Sequence, residues 1–382
     1  MVDSASQQDD PTEALIPTKD QARDPAELKA RMKQWLGQRL GAGDTLELDM
    51  QIPSGSGVAN ETLVISARWQ QDGAPRTGDF VVRIEAEDPL FPGSDAKLQF
   101  DMYRALEGFD AVPTPRAVDF EGDRSLLGAP FFLMERIDGR VPPDNPHYNH
   151  AGWVTELTDA DRAAMWRNGV GALAKLHSVD VGRFPFLKDT GASDGLRANL
   201  NYYIEEFDEA YGAPHAVIDH VRDWLIAHYP ADPIPGFSWG DARLGNIIFD
   251  GNNEVAAVLD WDMVSLAGPM TDLVWWACFD ISYTYGMGKP RLGGFGTARQ
   301  TIELWEKLSG MKVRHLDWHI VFNQYRGAVI VRRLTRMLRE QGRMPPSIAF
   351  MEQNNGSIQY LADMFELPPA GDETRKWPGL DV

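Results

Sequence analysis

Trp239-Gly240-Asp241-Ala242-Arg243-Leu244-Gly245-Asn246, followed by Val258-Leu259-Asp260-Trp261-Asp262, is the stretch on which the fold turns. It sets down a carboxylate, an amide five residues later, and a second carboxylate behind a short apolar run. Phosphoryl transfer asks a protein mainly for positioning and charge neutralisation. Asp241 suits the group that orients an attacking hydroxyl and takes its proton. Mg prefers hard oxygen ligands, which makes Asn246 and Asp260 the expected metal ligands, with Asp262 assisting from behind them. Asn246-Ile247-Ile248-Phe249 and Val255-Ala256-Ala257-Val258-Leu259 read as two short strands, and the turn-rich Asp250-Gly251-Asn252-Asn253-Glu254 joins them. Such a hairpin returns Asp260 to the end at which Asn246 stands. An isolated D-x-x-x-x-N would be an ordinary surface turn; the hairpin and trailing Asp make it specific.

Protein kinases write the same arrangement as H-R-D-x-x-x-x-N followed by D-F-G. With Gly268-Pro269-Met270-Thr271-Asp272-Leu273 added, the chain resembles the aminoglycoside phosphotransferase family over roughly Leu46 to Leu361. It is also similar to the kinase-like domain attached to some acyl-CoA dehydrogenases. That family usually carries His-Gly-Asp, and Trp239 stands here in place of the loop-packing His. The resemblance implies an α+β, bilobal, protein-kinase-like fold that uses ATP and Mg to phosphorylate a small-molecule hydroxyl. The expected layout is a mobile acidic tail over 1–24, a nucleotide-binding lobe with a small antiparallel sheet over 25–136, a mainly helical catalytic and substrate lobe over 137–365, and an irregular tail over 366–382.

The resemblance also assigns the nucleotide contacts. Strands at 46–52 and 63–69 flank a Ser/Gly-rich loop, in which Ser54, Gly55, Ser56, Gly57 and Asn60 are the expected phosphate binders. Arg83, in a third strand over 79–84, takes the place of the kinase lysine. The helix that should supply a glutamate partner, 94–106, offers Gln99 on its inner face. Met134, Glu135 and Ile137, with Arg136, are the hinge candidates for adenine recognition through the backbone.

Composition bounds the rest. Net charge is −19, which disfavours nucleic-acid binding. No apolar run approaches the roughly 20 residues of a membrane helix, and the N-terminus lacks a signal-peptide core, so a cytoplasmic compartment is expected. One cysteine, Cys278, excludes an internal disulfide. His177 and Asp272 are expected to be structural, Asp272 holding the catalytic loop. Two charge runs point to different acceptors. The acidic Glu205-Glu206-Phe207-Asp208-Glu209 favours an aminoglycoside-like polycation, or is simply a solvated face. The stripe Arg332, Arg336, Arg339 and Arg343 favours a hydroxyacyl-CoA, or pairs with acids elsewhere. A nucleotide-binding sensor or scaffold without turnover is the alternative from a different class.

Overall fold

The computed structural model describes residues 24–53, 60–187 and 194–382. The polar N-terminal tail therefore lies outside the described residues, as do Ser54, Gly55, Ser56 and Gly57.

The N-terminal lobe begins with α1 (Pro25–Arg39), which starts where Asp24 accepts a hydrogen bond from the Ala26 N–H and Pro25 occupies the first turn. Its buried stripe, Leu28, Met32, Trp35 and Leu36, packs against a five-stranded antiparallel sheet. The strands are β1 (Glu47–Gln51), β2 (Asn60–Gln71), β3 (Ala74–Glu85), β4 (Ala117–Glu121) and β5 (Phe131–Glu135), in the order β1-β2-β3-β5-β4. Alternation along β3 buries Phe80, Val82 and Ile84 beneath α1 and turns Val81 and Arg83 to the other face. On that other face lies α2 (Ala96–Leu106), capped by Asp95. A single turn, α3 (Arg124–Leu127), links β4 to β5.

The C-terminal lobe is helical around one hairpin. Its elements are α4 (Asp159–Leu176), α5 (Gly195–Tyr203) with a π-helical turn at Ile204–Asp208, α6 (Ala216–Ala227), the strands β6 (Ile247–Phe249) and β7 (Val255–Val258), then α7 (Pro269–Tyr283), α8 (Ala298–Ser309) and α9 (Leu316–Glu340). The chain over 347–365 reads as one helix in sequence but is two, α10 (Met351–Asn354) and α11 (Gly356–Met364). Asn355 breaks it by leaving helical geometry and accepting the Ile358 N–H as an N-cap. The last residues carry no helix or strand, yet they fold back: Leu380 is buried and its carbonyl accepts the Arg299 N–H at 2.9 Å.

The largest core cluster crosses from one lobe to the other, joining Met102, Tyr103 and Phe132 to Leu173, Trp239, Trp261 and Trp276. The lobes also meet away from the hinge, where the β3–α2 connection reaches the C-terminal lobe. Tyr202 donates to the Pro92 carbonyl at 2.9 Å, Arg333 donates to the Pro89 carbonyl at 3.2 Å, and the Phe91 and Phe207 rings lie 6.1 Å apart. Among the described residues, no helix is long and apolar enough to cross a membrane.

Candidate active site

The β6–β7 hairpin forms as its turn residues require, with Ile247 opposite Val258 and the Leu259 N–H donating to the Asn246 carbonyl at 2.9 Å. Asn246 and Asp260 are thereby set at one end. Along Leu259-Asp260-Trp261-Asp262 the side chains alternate. Trp261 is fully buried beside Tyr103, Phe237 and Trp239. Burying an indole removes roughly 150–250 Å² from water, about 4–6 kcal/mol at 25 cal/mol per Å². That anchor leaves Asp260 and Asp262 to face α2 and Arg83. Asp260 itself has φ of +65°, a left-handed conformation that costs a non-glycine residue energy and gathers at functional sites.

The Ser238–Asp241 loop is hung from Asp272. This fully buried carboxylate accepts the Ser238 hydroxyl at 2.7 Å, the Trp239 N–H at 2.6 Å and the Gly240 N–H at 2.8 Å. His177 Nε2 lies 3.0 Å from its other side. Trp305 donates its indole N–H to His177 Nδ1 at 2.9 Å, so Nδ1 is the acceptor and the hydrogen sits on Nε2, directed at Asp272. Gly240 has φ of +92°, and a Cβ there would lie 1.9 Å from the Met263 carbonyl oxygen, so no other residue fits. The Trp239 indole donates to the carbonyls of Leu259 and Asp260 at 2.9 and 2.8 Å.

Asp241 receives donors on both oxygens. Oδ2 accepts Arg243 Nε at 2.8 Å and Asn246 Nδ2 at 2.7 Å; Oδ1 accepts the Trp275 indole at 2.8 Å. A carboxylate has about four acceptor sites, so among the described residues one lone pair on Oδ1 stays open. Burial pushes its carboxyl up, but the Arg243 guanidinium and these donors outweigh burial and hold it below the usual range. Arg243 is itself braced, reaching Asp144 at 2.5 Å and lying over the Phe279 ring.

Asp260 and Asp262 behave oppositely. Burial raises both, Asp241 adds to the rise in both and Asp260 to that of Asp262, with Arg83 pulling them back; Asp262 is pushed up to about 7. Asp262 Oδ1 accepts Ser94 Oγ at 2.5 Å and Gln99 Nε2 at 2.6 Å. Arg83 donates to Thr62 Oγ1 at 3.0 Å.

The donor set fits Mg. The Asn246 amide nitrogen is committed to the carbonyl and the carboxylate of Asp241, at 2.9 and 2.7 Å, which turns its oxygen away as a free acceptor. Beside it stand Asp260 and Asp262, whose carboxyls are raised by burial first and by neighbouring carboxylates second. Among the described residues no group of three or more His, Cys, Asp or Glu is placed to hold a metal. Mg-nucleotide sites do not need one, since substrate phosphates complete the shell.

A profile of the phosphotransferase enzyme family, APH, matches residues 64–309. The chain belongs to the phosphotransferase enzyme family. This phosphotransferase is 25% identical over 254 residues to human acyl-CoA dehydrogenase family member 11, covering 65% of the chain and 30% of that protein. It is 27% identical over 217 residues to mouse acyl-CoA dehydrogenase family member 10, covering 56% of the chain and 19% of that protein. The phosphotransferase thus spans less than a third of either relative. Among solved structures, a putative aminoglycoside phosphotransferase from Ralstonia eutropha superposes with a TM-score of 0.63 at 21% identity, covering 88% of this chain and 95% of that one. A thermostable aminoglycoside phosphotransferase in ternary complex with AMP-PNP and hygromycin B gives 0.53 at 12% identity, covering 86% and 97%. These likenesses establish a bilobal, kinase-like fold.

Within the phosphotransferase, Asn246 donates to Asp241, and Asp260 lies close enough to Asp241 and Arg83 to feel the charge of both. At the hinge the Glu135 N–H donates to the Arg116 carbonyl, and the Glu135 side chain pairs with Arg116 at 2.6 Å. Met134 turns its side chain into the core, while the Ile137 N–H has no backbone partner among the described residues. Asn60 opens β2 opposite Glu85. Gln99 is buried on the inner face of α2, but it grips Asp262 rather than Arg83.

Both charge runs look different in three dimensions. Arg332 is only 1% exposed over the Tyr211 ring; Arg336 pairs with Glu340 and Arg339 with Glu352. Arg332, Arg336 and Arg339 therefore lie on a helix face paired within its own chain, while Arg343 falls beyond the end of α9. In the acidic run Asp208 is buried and accepts Arg222 and Tyr325, while Glu205, Glu206 and Glu209 are exposed. Arg243, Asp144, Trp275, Ser94 and Tyr103 escaped sequence reasoning. Arg243 was findable as a cation inside the motif, and Trp275 as the residue three after Asp272 on the same helix face; Asp144 carries no local signal.

Proposed function

We propose that this phosphotransferase moves the terminal phosphate of ATP onto a hydroxyl of a small molecule, with Asp241 orienting that hydroxyl. The observation that carries the reading is the open lone pair on Asp241 Oδ1, fixed in direction by Trp275, Arg243 and Asn246. An acceptor O–H donating to it is held in line and loses its proton as the new O–P bond forms. A carboxyl held below the usual range is a weak base, so its foremost contribution is alignment.

Mg bound with ATP supplies charge neutralisation at the transferring phosphate. Asn246 and Asp260 would hold it, and Asp262, gripped by Ser94 and Gln99, would steady the segment from α2. Arg83 takes the phosphates from the other lobe, together with Ser54, Gly55, Ser56, Gly57 and Asn60. The Ile137 N–H and the Glu135 carbonyl read adenine, and Met134 closes the back of that pocket.

Asp241→Asn tests the reading. It keeps the shape and removes the negative acceptor, so turnover falls by about 10²–10⁴ while ATP affinity changes little. Parental turnover in this variant would overturn the role. A screen of ATP consumption against polyamines, aminoglycosides and hydroxyacyl thioesters identifies the acceptor.

A further inference from the structure

Arg326, in the middle of α9, is fully buried. Its guanidinium lies 4.6 Å from the Trp275 ring centre, 5.0 Å from that of Tyr203 and 5.8 Å from that of Phe322. It donates to the Gly240 carbonyl at 3.0 Å, to Asn323 Oδ1 at 2.8 Å and to Tyr203 at 3.3 Å. Its Nε has no partner, and no carboxylate pairs with it within 4.0 Å among the described residues.

That is a costly way to fill an aromatic slot. Fully buried arginines are ordinarily paired, and an apolar side chain of similar volume would fit without a desolvated charge. Retention of the charge therefore directs attention to what it touches. Gly240 lacks a Cβ, so its peptide groups turn freely unless something outside holds them. Asp272 holds the N–H and Arg326 holds the carbonyl, an anion on the donor and a cation on the acceptor. The next residue is Asp241. The same guanidinium covers Trp275, whose indole N–H is the sole donor to Asp241 Oδ1 among the described residues. Asn323 fixes the aim, because its own amide nitrogen is spent on the His319 carbonyl and leaves Oδ1 for Arg326.

We propose that Arg326 is a positioning residue for phosphoryl transfer, setting the direction of the Asp241 carboxylate through the Gly240 carbonyl and the Trp275 ring. The proposal rests on the reading of Asp241 given above.

The test uses the full chain with Arg326→Lys, which keeps charge but not the fork, and Arg326→Met, which fills the slot without donors. The first readout is the Trp275 indole N–H signal in ¹⁵N-tryptophan-labelled protein, assigned by its loss in Trp275→Phe. Both variants are expected to shift it and speed its solvent exchange, Met more than Lys, while the Trp239 indole signal stays in place. The second readout is ADP formation from Mg-ATP with the acceptor found in the screen, alongside calorimetry with AMP-PNP. Turnover is expected to fall roughly 10- to 100-fold, with AMP-PNP affinity within about twofold of parent. In an Asp241→Asn background, Arg326→Lys is expected to cost little more. If the arginine variants do not fold, Asn323→Ala, which frees the aim and leaves the charge, is expected to move the same indole signal. An unmoved indole signal with parental turnover, or full additivity with Asp241→Asn, overturns the proposal. Parental turnover in Asp241→Asn alone overturns the reading beneath it instead.

Discussion

The Trp239 indole N–H donates to the Asp260 carbonyl at 2.8 Å, tying the loop that carries one carboxylate to the segment that carries the other. Trp239 stands where the family resemblance leads one to expect a loop-packing His, and its indole N–H ties the loop down. Its larger ring also fills the core beside Trp261, 6.1 Å away.

Trp239→Phe keeps most of that volume and removes the donor. Two partly buried carbonyls, of Leu259 and Asp260, then lose this donor. Unfolding free energy in urea is expected to fall by about 1–3 kcal/mol. Unchanged stability would mean that the bond is not what Trp239 is for.

Asp260→Asn is expected to act with opposite signs in two buffers. Without metal it relieves repulsion among Asp260, Asp262 and Asp241, so the melting temperature rises. With Mg-ATP it removes a ligand, so the stabilisation that Mg-ATP gives the parent shrinks. Thermal shifts with and without Mg-ATP read both, and a uniform shift in the two buffers would contradict the metal assignment.

Arg83→Met should weaken ATP binding far more than adenosine binding, because the lost contact is to phosphate. A charge-assisted hydrogen bond of roughly 1.5–3 kcal/mol corresponds to about one to two decades of affinity. Calorimetry with both ligands decides it; equal losses would make Arg83 structural.

Acid should destabilise the fold through two buried histidines. Burial, aided by neighbouring charge, pushes His147 and His319 from 6.5 down to about 3. Between those values the unfolded chain binds protons that the folded chain refuses, so stability falls as pH drops through that window. Each contributes up to roughly 5 kcal/mol at its foot. Asp260 and Asp262, raised in the fold, work in the opposite direction, so the measurement is a difference. His319→Gln is expected to flatten the slope of urea-unfolding free energy against pH below about 6.5, and an unchanged slope would refute it.

Much of the site was legible because its logic is local. D-x-x-x-x-N, a turn-rich hairpin and a trailing Asp lie within one stretch, and their spacing alone forces Asn246 and Asp260 together. Asp272 was legible as a carboxylate stranded among Leu273, Val274 and Trp275. Other contacts join residues far apart: Arg243 to Asp144 across 99 positions and Arg326 to the Gly240 carbonyl across 86. No periodicity encodes such pairs. The arginine stripe illustrates the same limit. Helical spacing correctly put Arg332, Arg336 and Arg339 on one face, but it could not say that Tyr211 and Glu352 already cover it.

A jaw with one pivot swings freely; a jaw pinned at its free corner does not. Tyr202 and Arg333 pin that corner through the carbonyls of Pro92 and Pro89. Two such bonds, at about 0.5–1.5 kcal/mol each, make parting of that corner roughly 5- to 150-fold rarer than it would be without them, on top of the core that the lobes share.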